Sequence, residues 1–247
     1  MRIFLILLVA LALPAGAFAA GGHKSCGTVD CDPVDVDLGD QASLQRGARV
    51  FVNYCLSCHS ASYMRYSRMG QDLGISEELV VGNLLFATEK VGDLMKAVMP
   101  KEDARYWFGV APPDLSLIAR SRKPAWVYTY MRSFYRDDKS PSGWNNTVFP
   151  HVAMPHVLYE WQGDQRAVFK KDKHGVEVFD RFEIERVGTM DPKEYNRAMR
   201  DLTNFLTYLG EPAKLIRYEI GIYVLIFLAV FLVFAYLLKK EYWRDIH

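Results

Sequence analysis

The sequence predicts a mainly α-helical domain with long loops and a small β-hairpin, followed by one C-terminal transmembrane helix. Three observations carry this. Two amphipathic helical patterns bracket the middle of the chain. Pro112, Pro113, Pro124, Pro141, Pro150 and Pro155 cut the region between them into loops. Near the far end, Ile220 to Leu238 contains no charged residue.

The elements follow in order. Arg2, the apolar stretch Ile3 to Leu13, the breakers Pro14 and Gly16, and Ala17-Phe18-Ala19 form the pattern of a secretory signal peptide, residues 1–19, cleaved after Ala19. A buried N-terminal core helix is the competing reading. Residues 20–212 are expected to form the domain, outside the cytoplasm. Asp40-Gln41-Ala42-Ser43 opens a helix whose Leu44, Gly47, Ala48, Phe51 and Val52 share one face, and it runs into Tyr54-Cys55. Val80 to Val98 and Ala125 to Tyr135 have helical patterns. Ala167-Val168-Phe169 and Val176 to Phe179 flank Lys173-His174-Gly175 as a surface hairpin. Asp191-Pro192-Lys193-Glu194 starts a second amphipathic helix with a capping box. Its stripe runs Tyr195, Ala198, Met199, Leu202, Phe205, Leu206, Leu209, and Gly210 and Pro212 stop it. The two amphipathic helices are expected to pack together, with Gly47 allowing a close approach.

The apolar stretch from Ile220 matches a bilayer core of roughly 30 Å at about 1.5 Å per residue. Tyr218, Tyr223, Tyr236, Tyr242 and Trp243 lie near its edges, and Lys239, Lys240 and Arg244 follow. Residues 213–239 are expected to anchor the chain in a lipid bilayer, with 240–247 as a cytoplasmic basic tail. A formal net charge of +1, with no phosphate-binding glycine loop and no basic stripe, gives no reason to expect a nucleic-acid partner.

Between the helices lies Cys55-Leu56-Ser57-Cys58-His59. C-x-x-C-H is the pattern of c-type haem attachment. Cysteines three apart share one helical face and reach two vinyl groups on one porphyrin edge, and the adjacent imidazole gives Nε2 to iron. A thioredoxin-type pair would sit at a strand-to-helix junction, whereas here a helix leads in. A zinc site needs a second ligand pair, and only Cys26 and Cys31 are left for it. In an oxidising compartment those two can bridge each other.

The sixth ligand decides the chemistry. A Met thioether closes the site and raises the potential; an open site permits reactions with peroxide or gas. Met64 and Met69 follow His59 too closely, and Met131 and Met199 sit in helical patterns as core residues. Met99 and Met154 lie in loops, with Met154 favoured, and His151 and His156 leave a bis-histidine site open.

The helix with Gly47 and Phe51 leading into the haem motif resembles class I c-type cytochromes. Ala111-Pro112-Pro113-Asp114-Leu115-Ser116 through Arg120, and Phe149-Pro150 through Met154-Pro155, are similar to segments of the cytochrome c1 family, as is the single C-terminal anchor. The resemblance covers almost the whole chain. It implies a class I c-type cytochrome domain with one covalently bound haem c, held by Cys55, Cys58, His59 and Met154. It further implies Arg120 as a haem-propionate partner and Pro112 and Pro113 as pocket walls. The implied role is the haem subunit of a bacterial ubiquinol–cytochrome c oxidoreductase, the cytochrome bc1 complex. The chain would work with cytochrome b and the Rieske iron–sulfur protein in a dimeric complex. It would take electrons from the Rieske protein and pass them to a soluble or tethered c-type cytochrome, with the haem domain in the periplasm at the inner membrane. A free-standing tethered shuttle is the alternative, and the bulk between Ser60 and Pro150 speaks against it. Two departures stand out. Arg105 to Val110 is more aromatic than the family pattern and lacks an asparagine often found there, and Pro155-His156-Val157 gives His156 no assigned role. Asp30, Asp32, Asp35, Asp37 and Asp40 form either a steering patch for a basic partner or a solvated linker.

Overall fold

A computed structural model describes residues 25–27 and 29–246. The expected signal peptide lies outside the described residues.

Helix α1 (Gln41–Val50) starts where Asp40 accepts a hydrogen bond from the Ser43 N–H, and it continues as one π-helical turn, Phe51–Cys55, into the haem motif. Its buried face is the predicted one: Leu44, Gly47, Ala48, Phe51 and Val52. Helix α8 (Pro192–Gly210) begins at Asp191 with the predicted capping box to Glu194. The two helices cross at Gly47. A Cβ there would lie 2.1 Å from the Asp201 carbonyl oxygen and 2.7 Å from the Phe205 Cβ, so only glycine permits the approach. Phe51 and Phe205 meet beside the crossing with ring centroids 5.6 Å apart. Each such fully buried apolar side chain contributes roughly 1.5–3 kcal/mol of transfer free energy. Asp201, buried beside the crossing, is satisfied by Ser43 Oγ at 2.6 Å and Arg46 Nε at 2.6 Å.

Short elements decorate this pair. Strands β1 (Ser25–Cys26) and β2 (Val29–Asp30) pair antiparallel, and a Cys26–Cys31 disulfide closes the turn, so these thiols neither stay free nor serve zinc. Strand β3 (Ala61–Arg65) follows the motif, then α2 (Tyr66–Asp72) and α3 (Glu77–Asn83). The helix expected over Val80 to Val98 is a correction. It stops at Asn83, the chain loops, and β4 (Leu94–Met95) pairs with β3. Non-local pairing wins there: the Tyr66 and Ser67 N–H groups donate to the Asp93 and Val91 carbonyls. Helices α4 (Lys101–Phe108), α5 (Ile118–Ser121) and α6 (Pro124–Arg132) come next. The helix expected over Ala125 to Tyr135 ends at Arg132, because β5 (Phe134–Arg136) pairs with β6 (Trp144–Asn146). Helix α7 (Tyr159–Gln162) leads into β7 (Gly163–Lys171) and β8 (Glu177–Val187), the expected hairpin at greater length. Helix α9 (Lys214–Tyr242) is long and apolar enough to cross a membrane. The fold is thus mostly helical, with four small two-stranded sheets among the described residues.

Candidate haem site

The π-helical turn delivers Cys55 buried and Cys58 half-buried, both as free thiols. The extra residue in this turn lets Leu56 N–H reach the Phe51 carbonyl, and the His59 N–H then donates to the Cys55 carbonyl at 2.7 Å. Motif and helix are one hydrogen-bonded unit. Burial, and secondarily the neighbouring Cys58, pushes the Cys55 thiol up to about 12, so it stays protonated at neutral pH.

His59 is held from the other side. Its Nδ1 lies 2.8 Å from the Pro113 carbonyl oxygen. A carbonyl only accepts, so Nδ1 carries the proton and Nε2 keeps its lone pair. Burial lowers the imidazole's pKa, which keeps it neutral, the form a metal needs. The Pro113 carbonyl is itself fixed. Leu115 N–H donates to the Ser60 carbonyl at 2.8 Å, Ser62 N–H to Asp114 Oδ2 at 3.0 Å, and Tyr63 N–H to Ser116 Oγ at 3.1 Å. The Pro-Pro-Asp-Leu-Ser stretch is therefore sewn along β3. Pro112 is half-buried and Pro113 exposed on this loop.

Met154 lies in the loop after β6. Val148 N–H and Phe149 N–H both donate to Asn146 Oδ1, and His151 N–H donates to Asn145 Oδ1. Tyr130 Oη, from α6, donates toward the Met154 sulfur at 3.4 Å. Tyr130 is stacked on Trp126 at 4.9 Å and meets Phe134 edge-on at 5.1 Å. Met99 sits elsewhere: its N–H donates to the Ser57 carbonyl, beside the cysteine loop. Met131 and Met199 are buried in the core, as their helical spacing suggested, and Met64 and Met69 are buried there as well.

The residues present fit a c-type haem. Two free thiols, a neutral imidazole with one nitrogen committed to a carbonyl, and a loop thioether are the kinds of donor that group takes. Arg120 is exposed; its stem crosses α8 at Gly210, where a Cβ would lie 3.1 Å from Arg120 Cγ. Its guanidinium makes no ion pair or hydrogen bond among the described residues.

The model of the cytochrome c1 family matches residues 36–174 and 186–246. The chain belongs to the cytochrome c1 family. It is 53% identical over 214 residues to the cytochrome c1 of Allochromatium vinosum, covering 86% of this chain and 88% of that one. It is 50% identical over 212 residues to the ammonia monooxygenase gamma subunit of Nitrosomonas europaea, covering 86% and 87%. It is also 24% identical over 242 residues to the cytochrome b/c1 of Bradyrhizobium diazoefficiens, covering 84% of this chain and 34% of that longer one. Cytochrome c1 is the haem c subunit of the bc1 oxidoreductase complex, an electron carrier, and α9 fits its membrane anchor.

Within this cytochrome c1 fold, several partners escaped the sequence. The Pro113 carbonyl, the Asp114 and Ser116 anchors and the Tyr130 hydroxyl all act across gaps that no local pattern signals. His156 is buried, with its ring stacked on Phe134 at 4.9 Å and edge-on to Trp144 at 5.0 Å. Among the described residues its nitrogens make no hydrogen bond of ordinary geometry, and burial, only partly offset by the Gln162 side chain, pushes its pKa down to about 4. The ring is an aromatic plate behind the Met154 loop. His151 lies exposed at φ 61°. Three of the acidic residues have structural roles: Asp32 pairs with Arg132 of α6, Asp37 accepts from Gly39 N–H at 2.7 Å, and Asp40 caps α1.

Proposed function

We propose that this chain is the membrane-anchored electron-transfer subunit of a cytochrome bc1 complex, taking electrons from a Rieske iron–sulfur protein and passing them to a c-type cytochrome. The single observation that carries the site is the His59–Pro113 bond, which commits one ring nitrogen and frees the other. In this reading Cys55 and Cys58 would bind one haem c covalently. His59 and Met154 would hold its iron, Arg120 would pair with a propionate, and Pro112 and Pro113 would wall the pocket. Haem c, when bound, supplies a one-electron couple.

The chain's own residues then have three tasks. The first is to hold both ligands still, so that little rearranges when an electron moves. The Pro113 carbonyl does this for His59, and the Asn145 and Asn146 side chains do it for the Met154 loop. The second is to compensate propionate charge with a guanidinium, which matches a carboxylate well. The third is to keep the site near the membrane. Only Glu211, Pro212 and Ala213 separate α8 from α9. The signal peptide, residues 1–19, would send domain 20–212 to the periplasm of a bacterial cell. The anchor 213–239 and the tail 240–247 would then end in the cytoplasm. Cytochrome b and the Rieske protein, in a dimeric complex, are the expected partners, and the relative named cytochrome b/c1 supports the first of them.

The relative named as an ammonia monooxygenase subunit favours a second reading, in which the same electron carrier serves a membrane monooxygenase. Gentle detergent purification through a C-terminal tag separates the two. Co-purification of a b-type cytochrome and a Rieske protein, with quinol-dependent reduction of cytochrome c, is the expected result. A red chain that co-purifies with a monooxygenase and lacks that activity would establish the second reading.

A further inference from the structure

We propose that the disulfide-closed turn Cys26–Cys31 is a positioning element for the Met154 loop. This rests on the reading of Met154 as an iron ligand. Gly27, inside the turn, has φ +71°, and a Cβ on it would lie 2.5 Å from the Val148 carbonyl oxygen. The turn's backbone therefore rests directly on the loop that leads to Met154. Cys26 is fully buried there. Past the turn, Asp32 N–H donates to Thr129 Oγ1 at 2.8 Å, and the Asp32 carboxylate pairs with Arg132. Both partners are on α6, the helix that also carries Tyr130. One short segment thus braces both the loop that bears the sulfur and the helix whose hydroxyl meets it.

The turn cannot do this by its ladder alone. Strands β1 and β2 are two residues each, far too short to be stable in isolation. The covalent bridge removes the open conformations of the turn and so makes it a fixed support. The loop needs such support. Its inner edge is bonded to Asn145 and Asn146, and His151 is held at φ 61°, a conformation a non-glycine residue leaves when its surroundings loosen. The turn backs the loop from the outside, at Val148.

The test uses the haem-loaded complex in detergent. Added imidazole competes with Met154 for ferric iron. Its apparent affinity reports how often the loop opens, because a site competent only a fraction of the time binds weaker by that fraction. The double variant Cys26→Ser/Cys31→Ser and the single variant Gly27→Ala are each expected to bind imidazole about tenfold tighter. Each should also weaken the sulfur-to-iron charge-transfer band and lower the reduction potential. Val80→Ala, a core truncation in α3, is the control: it lowers thermal stability and leaves imidazole affinity unchanged. If the cysteine and glycine variants behave as Val80→Ala does, the inference is overturned. If the double variant does not mature, Gly27→Ala and Asp32→Ala, which keep the bridge, decide the matter, and unchanged affinity in both refutes the support role. Met154→Ala separates the two levels. Should it retain the charge-transfer band, the ligand reading itself is wrong; should it lose the band while the turn variants change nothing, only the inference falls.

Discussion

Replacing Tyr130 by Phe removes one hydroxyl and keeps the ring. The stack on Trp126 at 4.9 Å and the edge contact with Phe134 at 5.1 Å survive, so the fold should hold. What is lost is the 3.4 Å hydrogen bond to the Met154 sulfur. That bond draws density from the thioether lone pairs. With Met154 as the proposed ligand, it would weaken donation to ferric iron more than to ferrous iron, and so would favour the reduced state. A protein hydrogen bond contributes about 0.5–1.5 kcal/mol net, and a thioether is a weak acceptor, so about 0.5–1 kcal/mol is the reasonable range. For a one-electron couple a tenfold change, about 1.4 kcal/mol, corresponds to about 59 mV. Only the difference in this bond between the two oxidation states counts, so Tyr130→Phe should lower the midpoint potential by up to about 45 mV. Burial pushes the Tyr130 phenol's pKa above its ordinary value, so the hydroxyl is present throughout the neutral range and the difference should not vary with pH. Spectroelectrochemical titration of wild type and variant measures it. An unchanged or raised potential, with the sulfur-to-iron band intact, would refute the reasoning.

Other expectations follow from the packing. Gly47→Ala drives a methyl into the Asp201 carbonyl and Phe205, with backbone on one side, and should cost about 3 kcal/mol or abolish haem incorporation; thermal melts and the haem-to-protein absorbance ratio check this. His156→Phe should cost less than about 1.5 kcal/mol and His156→Ala about 2–4 kcal/mol in denaturant titrations, since the ring acts as an aromatic plate. If both cost the same, the ring nitrogens matter after all. Asp164→Asn should cost about 1 kcal/mol at pH 7, because Asp164 joins Arg186 and Arg136 at the root of the hairpin. Arg186, then Arg136, holds that carboxyl below the usual carboxylate range. The aspartate therefore stabilises fully above about pH 4, and its contribution disappears as pH falls through the lowered folded value. The wild-type advantage over Asp164→Asn should vanish in melts taken below that pH.

The long periodic elements were legible because their signals are local. The α1 stripe, the α8 capping box and the charge-free Ile220 to Leu238 each stand within one stretch of chain, and each appears where the pattern puts it. Val80 to Val98 shows the limit. Its apolar residues fall at helical intervals, yet Leu94 and Met95 pair with the strand after the haem motif, and the carbonyls of Val91 and Asp93 are spent on Ser67 and Tyr66. Such pairing depends on what lies opposite, which periodicity cannot register. The same holds at the site. Cysteines three apart and a following histidine are a local chemical pattern. A main-chain oxygen that selects a tautomer, as Pro113 does, has no residue type to betray it. The Tyr130 hydroxyl is equally silent, since its helix reads as ordinary core.

The arrangement has a common reference in α8. Helix α1, which ends in the cysteine loop, crosses it at Gly47. Arg120 of α5 lies over its last residue, Gly210. Helix α6 is tied to its first turns, where the Tyr195 hydroxyl donates to the Met131 carbonyl at 2.8 Å and Arg132 Nε donates to Asn196 Oδ1 at 2.7 Å. The helix that leads to His59, the segment of the proposed propionate partner and the helix whose Tyr130 meets Met154 are therefore indexed to one rod of nineteen residues. A ligand carried on a free loop would drift with that loop, and each electron transfer would begin from a different geometry. Here the histidine side is fixed through α1, the methionine side through α6 and the asparagine pair, and any displacement of one relative to the other requires α8 to bend or shift in register. Buried Asp201, which sits at the α1–α8 crossing and is held by Ser43 and by the outer Arg46, opposes such a shift, because sliding would leave a carboxylate buried and unpaired.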